Sequence, residues 1–396
     1  MRLGTFNVWG LPEAFSDDVS SRMRVIADRL AASDLDVLLI QEAWTREVRQ
    51  TIRRGARHAG FAVSEGDGAS GGLMTLSRLP IRRSRFDRFR FRGDPERFDK
   101  GEYLGGKGFE TVELEGPDGP FLLVNTHLHA RYRIEDSPLD SAVRMAQLLQ
   151  IIAFVDAAPG TVVVGGDFNC RQGEPEYEVF RGLTGAIELG DALTQGTLSS
   201  TNFYKRDRDG PDKRIDFLFV RPGSGVEWTA REPRLVFHET ARIRRRDRSL
   251  SDHFGFRVDL VWQPASTAAA AAAHPGAGAA GARGPGVLDP RAITTARSLI
   301  EVGLEEADRR ESLHFRWAGG FLLAAIGAAG LRRHPAVDRR AFLRGAVQGA
   351  ALAALAPALG FGTLARFDSD DKRDVFTDAR AFLAELEARL VRTRAA

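Results

Sequence analysis

The sequence predicts an α/β fold over its first two thirds, followed by a helical appendage. Three observations carry this reading. Apolar strand-like runs alternate with helix-like stretches over residues 1–262. Six of those runs begin or end in polar clusters: Asn7, Glu42, His127 with His129, Asp167 with Asn169, Asp216, and Asp252 with His253. An Ala/Gly/Pro-rich stretch at 263–290, with six consecutive alanines at 268–273, then interrupts the alternation and reads as a linker.

The elements follow in order. Leu3-Gly4-Thr5-Phe6 predicts a first strand over 2–8, and a helix is expected over 17–33. Val37-Leu38-Leu39-Ile40 predicts a strand at 36–41, followed by a helix at 45–58. Strands are expected at 72–77, 109–115 and 121–127, the last built on Phe121-Leu122-Leu123-Val124. In a helix at 138–157, Val143, Leu148, Leu149, Ile152 and Val155 fall on one side at helical spacing. Val162-Val163-Val164 predicts a strand at 161–166, and a helix follows at 174–183. Strands at 214–220 and 254–262 close the unit.

Behind the linker, residues 291–396 read as helical. Ile293, Ala296, Leu299, Ile300, Leu304 and Ala307 form an apolar stripe. Two apolar segments follow. Trp317–Leu331 holds 15 uncharged residues, short of a bilayer core of roughly 30 Å at about 1.5 Å per residue. Residues 345–365 are longer, but carry Gln348 and Pro357. They form either a membrane hairpin or two buried helices. Arginines 332, 333, 339, 340 and 344 in the intervening loop would place that loop in the cytoplasm, so a hairpin that dips without spanning is the consistent membrane reading. Membrane association is therefore expected through this region.

Composition sets limits. At 396 residues and 43% apolar content, one large domain plus an appendage can bury a core. A net charge of +3 and a pI of about 9.2 suit anionic partners without choosing among them. The single Cys170 excludes an intrachain disulfide. Met1-Arg2-Leu3 runs straight into a strand with no visible signal peptide, so a cytoplasmic catalytic domain is expected.

The polar clusters form a kit for metal-assisted phosphoester hydrolysis: carboxylates for a hard cation, imidazoles for proton transfer, amides for oxyanions. Glu42 ends a strand too apolar to leave a carboxylate unpaired and is the foremost metal-ligand candidate. No Cys/His cluster has zinc spacing, which leaves Mg²⁺, with Mn²⁺ as the substitute. Asp167 and Asn169 alternate along an extended segment, so both would face one way to orient water and phosphate. Asp252 and His253 are adjacent and point apart, so the natural partner of His253 is Asp216, leaving Asp252 for metal or water. His127 and His129 share a face by their spacing of two, and either could protonate a leaving alkoxide.

The chain resembles the endonuclease/exonuclease/phosphatase superfamily over residues 1–262, and within it the neutral sphingomyelinases. The resemblance rests on Phe6-Asn7-Val8-Trp9-Gly10-Leu11-Pro12, Arg22-Met23-Arg24, Gln41-Glu42-Ala43-Trp44, Ser70-Gly71-Gly72-Leu73 and Ser77-Arg78-Leu79-Pro80-Ile81. The most specific part is Thr126-His127-Leu128-His129-Ala130-Arg131-Tyr132. It implies a two-sheet α/β sandwich of four layers, α/β/β/α. It also implies phospholipase C-type cleavage of sphingomyelin or a related phospholipid, with a nuclease, or a non-enzymatic membrane-associated module of the same fold, as the alternatives. By residue, it implies Mg²⁺ on Glu42 with Asn7 and Asp252, His253 as general base oriented by Asp216, and His127 assisting the leaving group or stabilising the charge that develops on phosphate. Asp167 and Asn169 would hold nucleophile and phosphate. Lys107, in Gly105-Gly106-Lys107-Gly108, would contact phosphate, and His129 and Tyr132 would face the substrate. Where the family commonly has Asp five residues before that Lys, this chain has Glu102.

Two basic stretches remain. Arg82–Arg97 interleaves arginines with Phe86, Phe89 and Phe91, and Arg242–Arg248 is nearly all basic. Both suit an anionic membrane surface or single-stranded nucleic acid, or else arginines in solvent with phenylalanines in the core.

Overall fold

The structure is a computed structural model that describes residues 1–65, 71–91, 105–116, 119–131, 138–205, 211–224, 226–264, 288–338, 341–363 and 369–395. Two six-stranded sheets lie face to face. The first is built from β1 (Arg2–Asn7), β2 (Val37–Gln41), β3 (Ala62–Ser64), β4 (Met74–Ser77), β11 (Val226–Val236) and β14 (Gly255–Pro264), in the order β11-β14-β1-β2-β4-β3. The second holds β5 (Ile81–Arg88), β6 (Gly108–Gly116), β7 (Gly119–His127), β8 (Val162–Asp167), β9 (Ile187–Glu188) and β10 (Asp216–Arg221), in the order β5-β6-β7-β8-β10-β9. Each sheet has one parallel pair at its centre, β1/β2 and β7/β8. A small hairpin, β12 (Ala241–Ile243) and β13 (Arg246–Arg248), stands apart.

The central strands carry Val/Ile/Leu runs because both of their faces are covered. Leu3, Leu39, Leu123, Val163 and Leu218 meet between the sheets. Gly165 permits that contact, since a Cβ there would lie 2.7 Å from Leu39 Cδ1 and 2.5 Å from Leu218 Cδ2. A polar pair crosses the same interface: Gln41 Nε2 donates to Asn125 Oδ1 at 2.8 Å, and Asn125 Nδ2 donates to the carbonyls of Ile40 and Met74. This ties β2 to β7 one residue from Glu42 and two from His127. Outside the first sheet pack α1 (Val19–Ala31) and α2 (Arg46–His58), the latter capped by Thr45, whose hydroxyl accepts from Val48 N–H. Outside the second lie α3 (Pro138–Ala157) and α4 (Pro175–Thr184), the latter with Pro175 opening it and Gly185 closing it at φ 66°. The four-layer sandwich is present.

The C-terminal region begins with α5 (Pro290–Leu331), a continuous helix of 42 residues and so about 63 Å long. Asp289 caps it, accepting from Arg291 N–H at 2.9 Å. Its first turns do not stand clear of the sandwich. Ala292, Ile293, Ala296 and Ile300 are buried in the same cluster as Val143, Leu149 and Phe180. After α6 (Ala341–Thr363) the chain returns as α7 (Ser369–Ala395), whose Phe376 and Leu383 enter that cluster too. The predicted stripe is thus buried at Ile293, Ala296, Ile300 and Ala307. The farther part of α5 and most of α6 are different: Trp317, Leu323, Ile326, Leu352 and Leu359 are all exposed. That removes the reading of two buried helices. Among the described residues, one helical stretch, Gly345–Thr363, is long and apolar enough to cross a membrane.

Of the two readings of the stretch after Arg82, the one with phenylalanines in the core holds for its described part: it is the edge strand β5 and its continuation, with Phe86, Phe89 and Phe91 buried. Its arginines pair locally, Arg82 with Glu113 and Glu115, Arg85 with Asp87, and Arg90 with Asp378 of α7. Arg92–Arg97 lies outside the described residues, as does most of the linker.

Candidate active site

Strand ends gather the polar clusters at one edge of the sandwich. Asn7 is the last residue of β1, and Glu42 follows β2 directly, turned by a left-handed φ of 61°. His127, Asp167 and Asp216 are cross-strand neighbours, since His127 is opposite Asp167 on β7/β8 and Asp167 is opposite Asp216 on β8/β10. Asp252 and His253 precede β14, which runs antiparallel to β1 and so starts at the same edge. Side chains this close in register must interact.

Asn7 joins the two sheets. Its Nδ2 donates to Glu42 Oε1 at 2.9 Å and to Asp167 Oδ2 at 3.0 Å. His127 Nε2 lies 3.9 Å from Glu42 Oε1 and 3.6 Å from Asp167 Oδ2. Lys107 Nζ is 3.0 Å from that same ring nitrogen and donates to Leu128 O at 2.9 Å. On the other side, His253 Nδ1 meets Asp216 Oδ2 at 3.0 Å, which aims Nε2 at Asp167, 3.8 Å away. Donor atoms of Glu42, His127 and Asp167 lie within 4.8 Å of one another, and so do those of Asp167, Asp216 and His253.

Packing this many acids out of water shifts their protonation. Burial, with Asp252 nearby, raises the Glu42 pKa despite the Asn7 hydrogen bond. Burial, then the neighbouring Asp216, pushes Asp167 up to about 7. Burial alone would lower His253, but Asp216 and Asp167 outweigh it and hold the imidazole at about 10. The cluster therefore favours positive charge placed among its oxygens. Glu42 and Asp167 present hard oxygen donors, with no thiolate near them, and so fit Mg²⁺ or Mn²⁺ better than a soft metal.

Other predicted residues sit differently. β8 ends at Asp167, and Asn169 adopts a left-handed φ of 51° with its Nδ2 donating to Leu128 O at 3.0 Å. The two do not alternate along a strand. Asp167 Oδ1 instead accepts from Asn169 N–H, an Asx turn that fixes the carboxylate. His129 does not share a face with His127, because β7 ends at His127. Its Nε2 lies 3.4 Å from Asp140 at the start of α3, and its N–H donates to Gln147. Asp252 is held below the usual carboxylate range, because Lys205 at 2.8 Å outweighs the effect of burial. Tyr132 and Glu102 lie outside the described residues.

Sequence reading passed over three participants. Lys205 sits 47 positions from its partner Asp252 on a short 3₁₀ turn, Phe203–Lys205, and no spacing rule links them. Ser251 Oγ donates to Asn7 O at 2.6 Å, tying the Asp252 segment to β1. Arg22 is wholly buried and donates to the carbonyls of Val8, Trp9 and Leu250, pinning both sides of the site. Its place in Arg22-Met23-Arg24 was visible, but its role was not.

Comparisons with known proteins agree with this geometry. The model of the Endonuclease/Exonuclease/phosphatase family matches residues 4–253, well over half of the chain. An inositol phosphosphingolipids phospholipase C of Schizosaccharomyces pombe is 27% identical over 66% of this chain and 68% of its own length. Sphingomyelin phosphodiesterase 2 of Homo sapiens is 28% identical over 43% of this chain and 41% of its own length. A crystal structure of beta toxin from Staphylococcus aureus covers 65% of this chain and 99% of its own at a TM-score of 0.55 and 16% identity, a likeness of fold.

Proposed function

The chain belongs to the Endonuclease/Exonuclease/phosphatase family, and from that premise we propose that it is a metal-dependent phosphodiesterase of phospholipase C type. Its substrate would be sphingomyelin or a related sphingolipid, cleaved to release a phosphorylated headgroup. The observation that carries the chemistry is the strand-end cluster of Glu42, His127, Asp167, Asp216 and His253. The lipid substrate is favoured by the names of the relatives and by the apolar, exposed helices behind the catalytic unit.

Glu42 and Asp167, aided by Asn7, would hold the cation, Mg²⁺ in the first instance. When bound, it would polarise the phosphate and, by offsetting the carboxylates, return the His253 imidazole to its neutral form. His253 Nε2 then takes a proton from the attacking water while Asp216 holds Nδ1. The water oxygen bonds to phosphorus, and the P–O bond to the lipid alcohol breaks. His127 is placed to give that alkoxide a proton, with Lys107 beside it as a fixed positive charge for the phosphate oxygens. Each proton-transfer group is expected to contribute about 10²–10⁴ in rate. Asp167 orients the water, its carboxylate fixed by the Asn169 N–H, while the Asn169 side-chain amide is turned to Leu128 O. Asp252, already paired with Lys205, would serve from one step farther out. His129, held beside Asp140 at the start of α3, would act on the substrate from that edge rather than from the strand-end cluster.

We also propose that residues 1–264 and the buried parts of α5 and α7 form one catalytic unit. The exposed parts of α5 and α6 then associate with a lipid bilayer. A nuclease is the second reading, favoured by the exposed Arg242, Arg244, Arg245 and Arg246. The test is a substrate panel with Mg²⁺ and with EDTA. Metal-dependent release of phosphorylated headgroup from sphingolipid supports the proposal. Intact sphingolipid and lysophospholipid alongside degraded DNA would refute it.

A further inference from the structure

The direction in which α5 runs fixes where its apolar end emerges. Helix α3 spans the molecule from the site edge to the opposite edge. Asp140, at its start, meets His129, and Asp156, near its end, pairs with Arg389 of α7 at 2.8 Å. Helix α7 climbs from there as its residue numbers fall. Phe376 meets Phe91 at a tilt with ring centroids 5.4 Å apart, level with Gln147, whose Nε2 donates to Phe91 O. Helix α5 runs antiparallel to α7: Arg297 pairs with Glu387, Glu301 with Arg380, and Asp308 with Arg373. It therefore ascends towards the site edge as its numbers rise.

The residue at which it clears that edge follows. Asp140 to Asp156 is about 24 Å of helix at about 1.5 Å per residue. Arg297 is level with Asp156 through the α7 pairings, so α5 passes the level of Asp140 near Leu313. There the side chains change character. Leu313, Phe315 and Trp317 are about half exposed, and Leu323 and Ile326 beyond them more so. Trp317, Phe321 and Phe361 cluster just beyond that level, with centroids 5.9–6.3 Å apart, and Trp317 is of the type that sits at headgroup depth. The polar tip, Arg332-Arg333-His334, lies farther out.

The same edge carries two further surfaces that the catalytic reading does not use. Phe15, in the loop after β1, is 71% exposed and is the single strongly exposed large hydrophobic side chain among the described residues of the sandwich. The β12–β13 hairpin leaves β11 at Val236 and rejoins β14 at Gly255, a paired position, so it too projects from the site edge. It presents Arg242, Arg244, Arg245 and Arg246 to solvent.

We propose that this catalytic edge is the face that lies on an anionic bilayer. On this reading, the apolar ends of α5 and α6 enter the membrane on that side, and the buried half of α5 acts as a strut that sets the height of the site. Phe15 and the hairpin arginines meet the headgroups. The inference rests on the phospholipid reading for its consequence: substrate is drawn from the membrane that holds the protein, with no excursion into solvent.

Hydrogen exchange of the full chain tests it, comparing nanodiscs of phosphatidylcholine and phosphatidylserine with detergent micelles. Amides of residues 9–16, 203–205 and 241–248 should slow by about tenfold in nanodiscs, and residues 158–161 and 184–187 at the opposite edge should not change. Slowing confined to 313–331 and 345–363, or present at the opposite edge, would overturn the orientation. So would slowing of the site edge by a single-stranded oligonucleotide in place of the nanodisc. Protection that grows with protein concentration without lipid would mark self-association and overturn it also. Turnover is not read, so a failure of the hydrolase reading and a failure of the orientation remain distinct.

Discussion

Replacing Asp216 with Asn tests how the acids govern the imidazole. The two side chains have nearly the same shape, so the buried position opposite Asp167 is kept. What is lost is the charge facing His253 Nδ1 at 3.0 Å. A hydrogen bond to a charged group contributes about 1.5–3 kcal/mol. At 1.36 kcal/mol per pH unit, the metal-free His253 titration, now near 10, should fall by about one to two units. The same charge raises Asp167, so that carboxyl should also titrate lower. Both midpoints can be followed by NMR in EDTA. With metal, kcat should drop by about 10²–10⁴ while sphingolipid KM changes little, as expected for lost orientation of a proton acceptor. An unchanged His253 midpoint, or a fall for His253 with a rise for Asp167, would refute the electrostatic account.

Three other outcomes follow from the same contacts. Lys205→Met leaves Asp252 largely buried without its cation, at a cost of about 3 kcal/mol in urea denaturation with EDTA. If Asp252 can serve a metal, Mg²⁺ should recover more stability in that variant than in the parent. Phe376→Ala, emptying a wholly buried ring site against Phe91 and Gly303, should cost about 3–5 kcal/mol and lower Tm although it is far from the site. A chain ending at Pro264 should be insoluble or melt well below the parent, because Ala292, Ile293 and Leu383 no longer cover α3 and α4. A truncated protein as stable as the parent would show that the helical region is dispensable to the fold.

The central strands were legible because β1, β2, β7 and β8 are covered on both faces and must be continuously apolar. β5 and β11 were not. Both are edge strands, and β5 exposes arginines on its outer face. β11 carries Pro233 within a register shift between Arg231 and Arg234, which breaks the alternation that marks a strand. At the site, strand-end placement revealed Asn7, Glu42, His127, Asp167, Asp216 and His253, since register alone brings them together. Side chains that depend on loop geometry escaped. Asn169 turns away through a positive φ, His129 leaves the strand for Asp140, and Lys205 reaches Asp252 from a loop no pattern connects to it. Likewise, helical periodicity found the stripe on α5, but not that it seals the catalytic core.

Products formed in ¹⁸O-enriched water test the central claim most directly. Sphingomyelin vesicles, Mg²⁺ and the full chain should yield unlabelled ceramide and a phosphorylated headgroup carrying one ¹⁸O, with neither formed in EDTA. Label in a lipid phosphate, or lipid left intact while an oligonucleotide acquires label, would contradict it.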